Sequence, residues 1–137
     1  MRITRFVIVV ILSIAAIPTA LAAEQQLQDV QKIHIDEMGK SDQAGRFRLL
    51  LEQELEKAGF AITAAQNADA ILSGFIDETL AQGTSIIRAT VVLKDRHGNR
   101  LWGGDYAPRL TSFASDKLKA HAEDIAKDLK KAKSKKR

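Results

Sequence analysis

The chain has no cysteine. A structural disulfide, a thiolate zinc site and a cysteine nucleophile are therefore excluded. Lipid attachment at an N-terminal cysteine is excluded with them, so the expected protein is not lipid-anchored. Histidine is scarce. His34, His97 and His121 fall on different predicted elements with no ligand spacing between them, and no metal is expected. Nucleophile elbows, phosphate-cradling glycine loops and metalloprotease motifs are also missing. Gly103-Gly104 lacks the following helix that a phosphate site needs. The pairs Asp36-Glu37 and Asp77-Glu78 belong to predicted strands, where neighbours point to opposite faces, so neither makes an acid/base dyad. Glu123-Asp124 lies beside Lys127, where an i,i+4 ion pair is the simpler expectation. No catalytic, cofactor-binding or metal-binding residue is expected, and an enzyme is not; a small hydrolase is the last alternative.

A long membrane-spanning run is missing as well. Residues 6–17 are almost unbroken apolar, with Ser13 the exception. They are short against the roughly 20 residues of a bilayer span. Arg2 and Arg5 precede them, Pro18 breaks the run, and Ala20-Leu21-Ala22 places small residues at the −3 and −1 subsites of signal peptidase. That order reads as a secretory signal peptide, residues 1–22, cut after Ala22. The expected compartment is the periplasm. Cleavage after residue 22 of 137 leaves 115, enough for one domain with its own core.

Charge is uneven. The formal net charge is +4, but residues 127–137 hold seven basic side chains and one Asp. With Arg2 and Arg5 also removed, residues 23–126 come to −4. The pattern is a mildly acidic body with a basic end.

Residues 23–29 are polar and read as a flexible lead-in. Residues 30–36 alternate, with Ile33 and Ile35 on one face, as a half-buried strand does. Ser41 or Asp42 is placed to cap a helix on which Phe47, Leu50, Leu51, Leu55 and Ala58 form one apolar stripe, with Gly59 as its stop. Residues 60–63 read as a short strand. Residues 70–77 are apolar on both faces, which suits a central strand. Gln82-Gly83-Thr84 is a turn before a β-branched strand at residues 86–94. Asp95 to Gly98 fits a tight turn, and residues 100–102 return antiparallel. Gly103, Gly104 and Pro108 mark an edge or irregular stretch. The helical period resumes near Ser112 with Leu118, Ala122, Ile125 and Leu129. The predicted domain covers residues 30–129, with residues 130–137 a basic disordered tail. The fold class is α/β (α+β). We expect a two-layer sandwich, in which a mixed four- to five-stranded sheet carries two helices on one face, in the order β-α-β-β-β-β-α.

Two motifs stand out. One is Ala68-Asp69-Ala70-Ile71-Leu72-Ser73-Gly74. The other is Val91-Val92-Leu93-Lys94-Asp95 followed by Gly98-Asn99-Arg100-Leu101-Trp102. Together they resemble the small envelope α/β domain of the curli secretion protein family. They are similar, too, to the N-terminal domain of the Tol β-propeller protein and to penicillin-binding-protein activator lipoproteins. The resemblance implies that Asp69 opens a central strand and Gly74 permits close packing. It further implies that Asp95 and Gly98 close a hairpin and that Trp102 covers a core edge. Such families act by assembly and protein contacts. The chain departs from them in lacking the lipid-attachment cysteine, and its inter-strand segments are too short for long membrane-inserting hairpins.

Two interaction features remain. Trp102 and Tyr106 flank the two glycines and form a candidate partner surface at a sheet edge, although Trp102 in this position more often closes a core. Lys130, Lys131, Lys133, Lys135, Lys136 and Arg137 are candidate contacts to an anionic surface. With no aromatic among them and a signal peptide ahead, nucleic acid is disfavoured as a partner. The expected function is that of a non-catalytic, soluble periplasmic accessory protein that binds another envelope protein, without a cofactor. Homo-oligomers through an edge strand are the other protein contact considered. The alternative is association with anionic lipid or lipopolysaccharide through the basic end.

Overall fold

The computed structural model describes residues 26–107 and 116–135. The elements in chain order are β1 (Lys32–Ile35), α1 (Asp42–Lys57), β2 (Ala61–Ile62), β3 (Ala70–Ala81), β4 (Thr84–Asp95), β5 (Arg100–Tyr106) and α2 (Lys117–Ser134). Short 3-10 turns at Leu27–Asp29 and Ala65–Asn67 complete the trace. The sheet order is β2-β1-β3-β4-β5. β1 pairs parallel with β2 and β3, and the last three strands form an antiparallel meander. This is the expected mixed sheet and element order.

One face of the sheet makes the core. Ile33 and Ile35, Ala70 and Leu72, and Ala89, Val91 and Leu93 alternate inward along their strands. They meet Phe47, Leu51 and Leu55 of α1 and Leu118, Ala122, Ile125 and Leu129 of α2 in one cluster. Each fully buried large side chain contributes about 1.5–3 kcal/mol. The opposite face is open: Lys32, Arg88 and Lys94 are exposed on it, and so is Phe75, at 57%. The apolar run at residues 70–77 thus reflects a central position without burial on both sides.

Polar groups fix the element ends. Ser41 Oγ accepts from the Ala44 amide at 3.1 Å, the cap expected for α1. Asp116 Oδ1 does the same for Lys119, while its Oδ2 takes the Arg46 guanidinium, so one side chain starts α2 and ties it to α1. Asp69 Oδ2 accepts the amides of Gln31 and Lys32, each at 2.9 Å, and locks the start of β1 to β3. Asp95 Oδ1 accepts the amides of His97 and Asn99, closing the β4–β5 hairpin over Gly98, whose φ is +86°.

The structure differs from the sequence reading in four places. β3 and β4 run on to the pair Ala81↔Thr84, joined by Gln82 and Gly83, both at positive φ. Two such residues form the hairpin turn that matches strand twist. Among the described residues β1 pairs only as far as Leu72 and β5 only from Ala89, so there the far half of this hairpin is a two-stranded ribbon, with Leu80 76% exposed on it. α2 continues through Ser134, so residues 130–134 are helix rather than disordered tail. Lysine and alanine are strong helix formers that need no apolar stripe to propagate a helix already docked. Gln28 Nε2 donates to the Lys135 carbonyl at 2.9 Å, and Lys133 Nζ lies 5.1 Å from the Phe60 ring centroid. The described part of the lead-in is likewise ordered, with Leu27 packed on the core. Finally, Glu123 approaches Lys119, at 4.0 Å, where Lys127 was expected as its partner. Ala20 and Ala22, Pro108, Ser112, Lys136 and Arg137 lie outside the described residues.

Candidate functional site

The edge strand β5 begins with a bulge. Leu93 faces Trp102 but Lys94 faces Arg100, leaving Leu101 as the extra residue. From there the register is regular. Trp102, Gly104 and Tyr106 lie opposite the buried residues Leu93, Val91 and Ala89, hence on the helix-bearing side. Gly103 and Asp105 take the open face, where Asp105 Oδ1 accepts from Thr90 Oγ1 at 3.1 Å.

The two glycines are used. A Cβ at Gly104 would lie 2.7–3.1 Å from the Tyr106 ring, and one at Gly103 would meet the Arg100 guanidinium at 2.4 Å. Two long side chains therefore lie back across the bare backbone, one on each face. The Tyr106 hydroxyl donates to Asp128 Oδ2 at 2.8 Å. Burial, then the Asp128 carboxylate, then the charge of Asp124 hold this phenol well above its ordinary ionisation range.

Between β5 and the C-terminal half of α2 lies an open cleft of about 370 Å³. Trp102 and Tyr106 stand on its strand side, and Lys131 and Lys135 on its helix side. Trp102 is half-buried and packs on the core while also lining the cleft. Core and partner surface, set against each other at the sequence level, are here two sides of one ring. Helix geometry scatters the basic residues that the sequence grouped as a tail. Lys131 and Lys135 flank β5, Lys133 turns to Phe60, and Lys130 is exposed. Asp128 went unnoticed in the sequence. Its signal is the i, i+3, i+7 spacing of Asp128, Lys131 and Lys135, legible only if the helix is carried past Leu129.

The structure keeps the histidines apart. His34 Nδ1 lies 3.0 Å from the Thr63 carbonyl, and His97 sits exposed in the β4–β5 turn. His121 is buried with Nε2 2.8 Å from the Ile87 carbonyl. Among the described residues, no three His, Asp or Glu side chains gather as a metal would require. Glu78 is engaged by Ser85 Oγ at 2.6 Å and Gln43 Nε2 at 2.9 Å. Among the described residues, no helix is long and apolar enough to cross a membrane.

No protein-family model matches this chain, and no curated protein does. Solved structures match its fold. A variant PelC dodecamer from Paraburkholderia phytofirmans is 22% identical with a TM-score of 0.53, covering 82% of this chain and 94% of that one. A PelC dodecamer from the same organism in another crystal form is 21% identical with a TM-score of 0.51, covering 80% and 91%. A DUF4136 family protein from Bacteroides thetaiotaomicron is 9% identical with a TM-score of 0.50, covering 83% and 94%. At these identities the likeness is one of fold. It bears out the small α/β domain that the motifs imply and does not single out the curli secretion, Tol or activator groups.

Proposed function

We propose that the chain is a non-catalytic accessory protein of the bacterial cell envelope, exported to the periplasm and working through protein–protein contacts. The observation that carries this reading is the outer side of β5, beside which no strand lies among the described residues. It is a sheet edge beside an aromatic-lined cleft, and aromatic side chains dominate the energetics of such surfaces. The signal-peptide pattern of residues 1–22 supports the compartment. PelC, whose fold is shared, crystallises as a dodecamer, which supports a second copy of the chain as one further partner.

Two experiments test the reading. The intact mass of protein recovered from fractionated native cells should begin at Ala23 in the periplasmic fraction. A full-length species in the cytoplasm overturns the compartment. A photo-crosslinking side chain at Asp105, exposed on β5, should capture a defined envelope protein in living cells. Absence of any adduct there, with the protein at native abundance, overturns the protein-contact reading.

A second reading rests on Lys127, Lys130 and Lys131, exposed on α2. Each basic residue near an anionic membrane contributes on the order of 1 kcal/mol. Its test is sedimentation with phosphatidylglycerol vesicles. Binding should fall steeply with salt and weaken strongly on neutralising these three lysines to glutamine, a change that leaves the helix intact where deletion of residues 130–137 would not. Salt-insensitive or absent binding ends this reading.

A further inference from the structure

We propose that the outer edge of β3, from Gly74 to Leu80, takes an added antiparallel strand from a partner polypeptide, whose two adjacent basic residues meet Asp77 and Glu78. The site lies on the β3–β4 ribbon and makes no use of β5, so it goes beyond the reading above.

The backbone supplies the first argument. The Leu72 carbonyl accepts the Asp36 amide at 2.9 Å, so it points away from β4. Along a strand that direction recurs every second residue, and the β3–β4 register is regular throughout. The amides and carbonyls of Gly74, Ile76, Glu78 and Leu80 therefore face outward. Among the described residues no strand pairs with them and no other backbone group bonds them. The opposite edge of the ribbon is closed, because the Ser85 and Ile87 carbonyls of β4 receive Lys117 Nζ and His121 Nε2. A bare edge beside a closed one is a template for another strand.

Side chains supply the second. Ile76, Glu78 and Leu80 share the helix-bearing side with Leu72, and Phe75, Asp77 and Thr79 take the open face. Residues 77–80 are all exposed, so the edge is accessible there. Of the three exposed large hydrophobic side chains among the described residues, two are Phe75 and Leu80, one on each face of this strand. Apolar groups on both sides of an unpaired edge favour its being covered.

Charge supplies the third and selects the partner. Asp77 and Glu78 sit mid-edge, one on each face, and meet no cation within ion-pair distance among the described residues. The partners of Glu78, Ser85 and Gln43, are neutral. Arg88, opposite Asp77 on β4, is the only basic residue from 74 to 88, so two acidic residues against one basic leave that stretch at −1. Asp36, exposed where β1 ends, adds a negative charge at the start of the edge, while Lys40 lines a separate cleft with Glu37 and Arg48. Neighbours on a strand point to opposite faces, so two consecutive basic residues reach Asp77 and Glu78 together. Apolar residues beside them cover Phe75, Ile76 and Leu80. A second copy of the chain fits worse. Twofold pairing of two β3 edges centred on Asp77 or Glu78 sets that carboxylate against its own copy, and like charges directly opposite destabilise. Centred on Ile76 it brings Leu80 to Leu72, whose carbonyl Asp36 already holds. Centred on Thr79 it keeps only residues 77–81.

The probe is a blocked, fluorescent heptapeptide, Val-Thr-Lys-Lys-Val-Val-Thr, mixed with the purified protein at up to millimolar concentration. Its controls are the peptide with glutamates for the lysines and an N-methylated copy that cannot donate. The expected result is a saturable rise in anisotropy with the lysine peptide, weakened by salt and absent with both controls. Amide hydrogen exchange should slow at Gly74, Ile76, Glu78 and Leu80 and stay unchanged at Phe75, Asp77 and Thr79, which already face β4. Asp77→Asn with Glu78→Gln, both at exposed positions, should weaken the lysine peptide about tenfold, the scale of two surface ion pairs. Equal binding of the lysine and glutamate peptides, or of neither, overturns the proposal. So does equal binding of the N-methylated copy, which leaves charge attraction without a strand. Slowed exchange at the same four amides in the protein alone, as its concentration rises, makes a second copy the occupant and overturns it too. Loss of peptide binding while the Asp105 crosslink on β5 still forms removes the β3 edge and leaves the accessory-protein reading. Loss of both removes both.

Discussion

The Tyr106 hydroxyl donates to Asp128 Oδ2 at 2.8 Å and joins the edge strand to the flank of α2. The phenol is half-buried, and burial, the bond to Asp128 and the charges of Asp128 and Asp124 all favour its protonated form. Its ionisation is raised in the folded protein, which sets the sign. Below about pH 10 both states keep the proton and the contribution is whole. Above that the unfolded chain ionises first, so stability falls as pH rises. Tyr106 is the only tyrosine, so the tyrosinate absorbance follows it alone. Its midpoint should lie above that of the denatured chain, and Asp128→Ala should lower it. Tyr106→Phe should remove the alkaline fall in Tm. Coincident folded and unfolded midpoints would show that the bond is not made in solution.

At the acid end the signs reverse. The amides of Gln31 and Lys32 hold Asp69 below its ordinary value of 3.8. Burial pushes Asp95 up, but the amide and carboxamide of Asn99 and the amide of His97 outweigh it, and the net shift is downward. A carboxylate depressed by folding stabilises fully above its unfolded value, and the contribution is lost as pH falls through the folded one. The urea midpoint should stay flat from neutrality to about pH 5 and drop below about pH 4. Asp69→Asn and Asp95→Asn should each cost about 1–3 kcal/mol at neutral pH, the scale of charged hydrogen bonds, and flatten the acid limb. An acid limb unchanged in both variants would place the titrating groups elsewhere.

What could be read from the sequence was whatever the core imposes. The stripe Phe47, Leu51, Leu55 and the alternation at Ile33 and Ile35 report burial directly, so α1 and β1 were legible, as were the turns at Gly83 and Gly98. Residues 130–134 were not, because a lysine–alanine helix end carries no apolar signal. The central place of residues 70–77 was legible, but the exposure of Phe75 was not, because one sequence cannot tell an open sheet face from a covered one. Trp102 and Tyr106 were legible as a pair. Their cleft was not, because Asp128, Lys131 and Lys135 reach it only through packing of a helix against an edge strand.

α2 also does work that a strand would otherwise do. The last β5 partner of β4 is at Ala89, and beyond it the carbonyls of Ile87 and Ser85 receive His121 Nε2 and Lys117 Nζ. These side chains are i,i+4 on the helix and their acceptors i,i+2 on the strand, so one flank caps one edge. His121→Ala removes a buried donor and leaves a space, and should cost about 2–3 kcal/mol in urea unfolding. Lys117→Ala, at a half-buried site, should cost less. Equal costs for the two would contradict the burial argument.

Two glycines make opposite predictions. A Cβ at Gly74 would lie 2.1 Å from the Thr90 carbonyl oxygen and 3.0 Å from Val91 Cα, both backbone atoms of the paired strand. Neither can rotate away, so the β3–β4 ladder must open where it is longest. Gly74→Ala should lose about 3 kcal/mol or more, at or beyond the upper range for overpacking. Gly45 is within α1 with nothing within 4 Å of its would-be Cβ and no positive φ. There alanine narrows the unfolded ensemble without a clash, and Gly45→Ala should raise stability by about 0.4–1 kcal/mol. Thermal unfolding of the two variants beside the parent decides both. A Gly74→Ala protein that melts with the parent would mean that β3 and β4 are not in the register Gly74↔Val91.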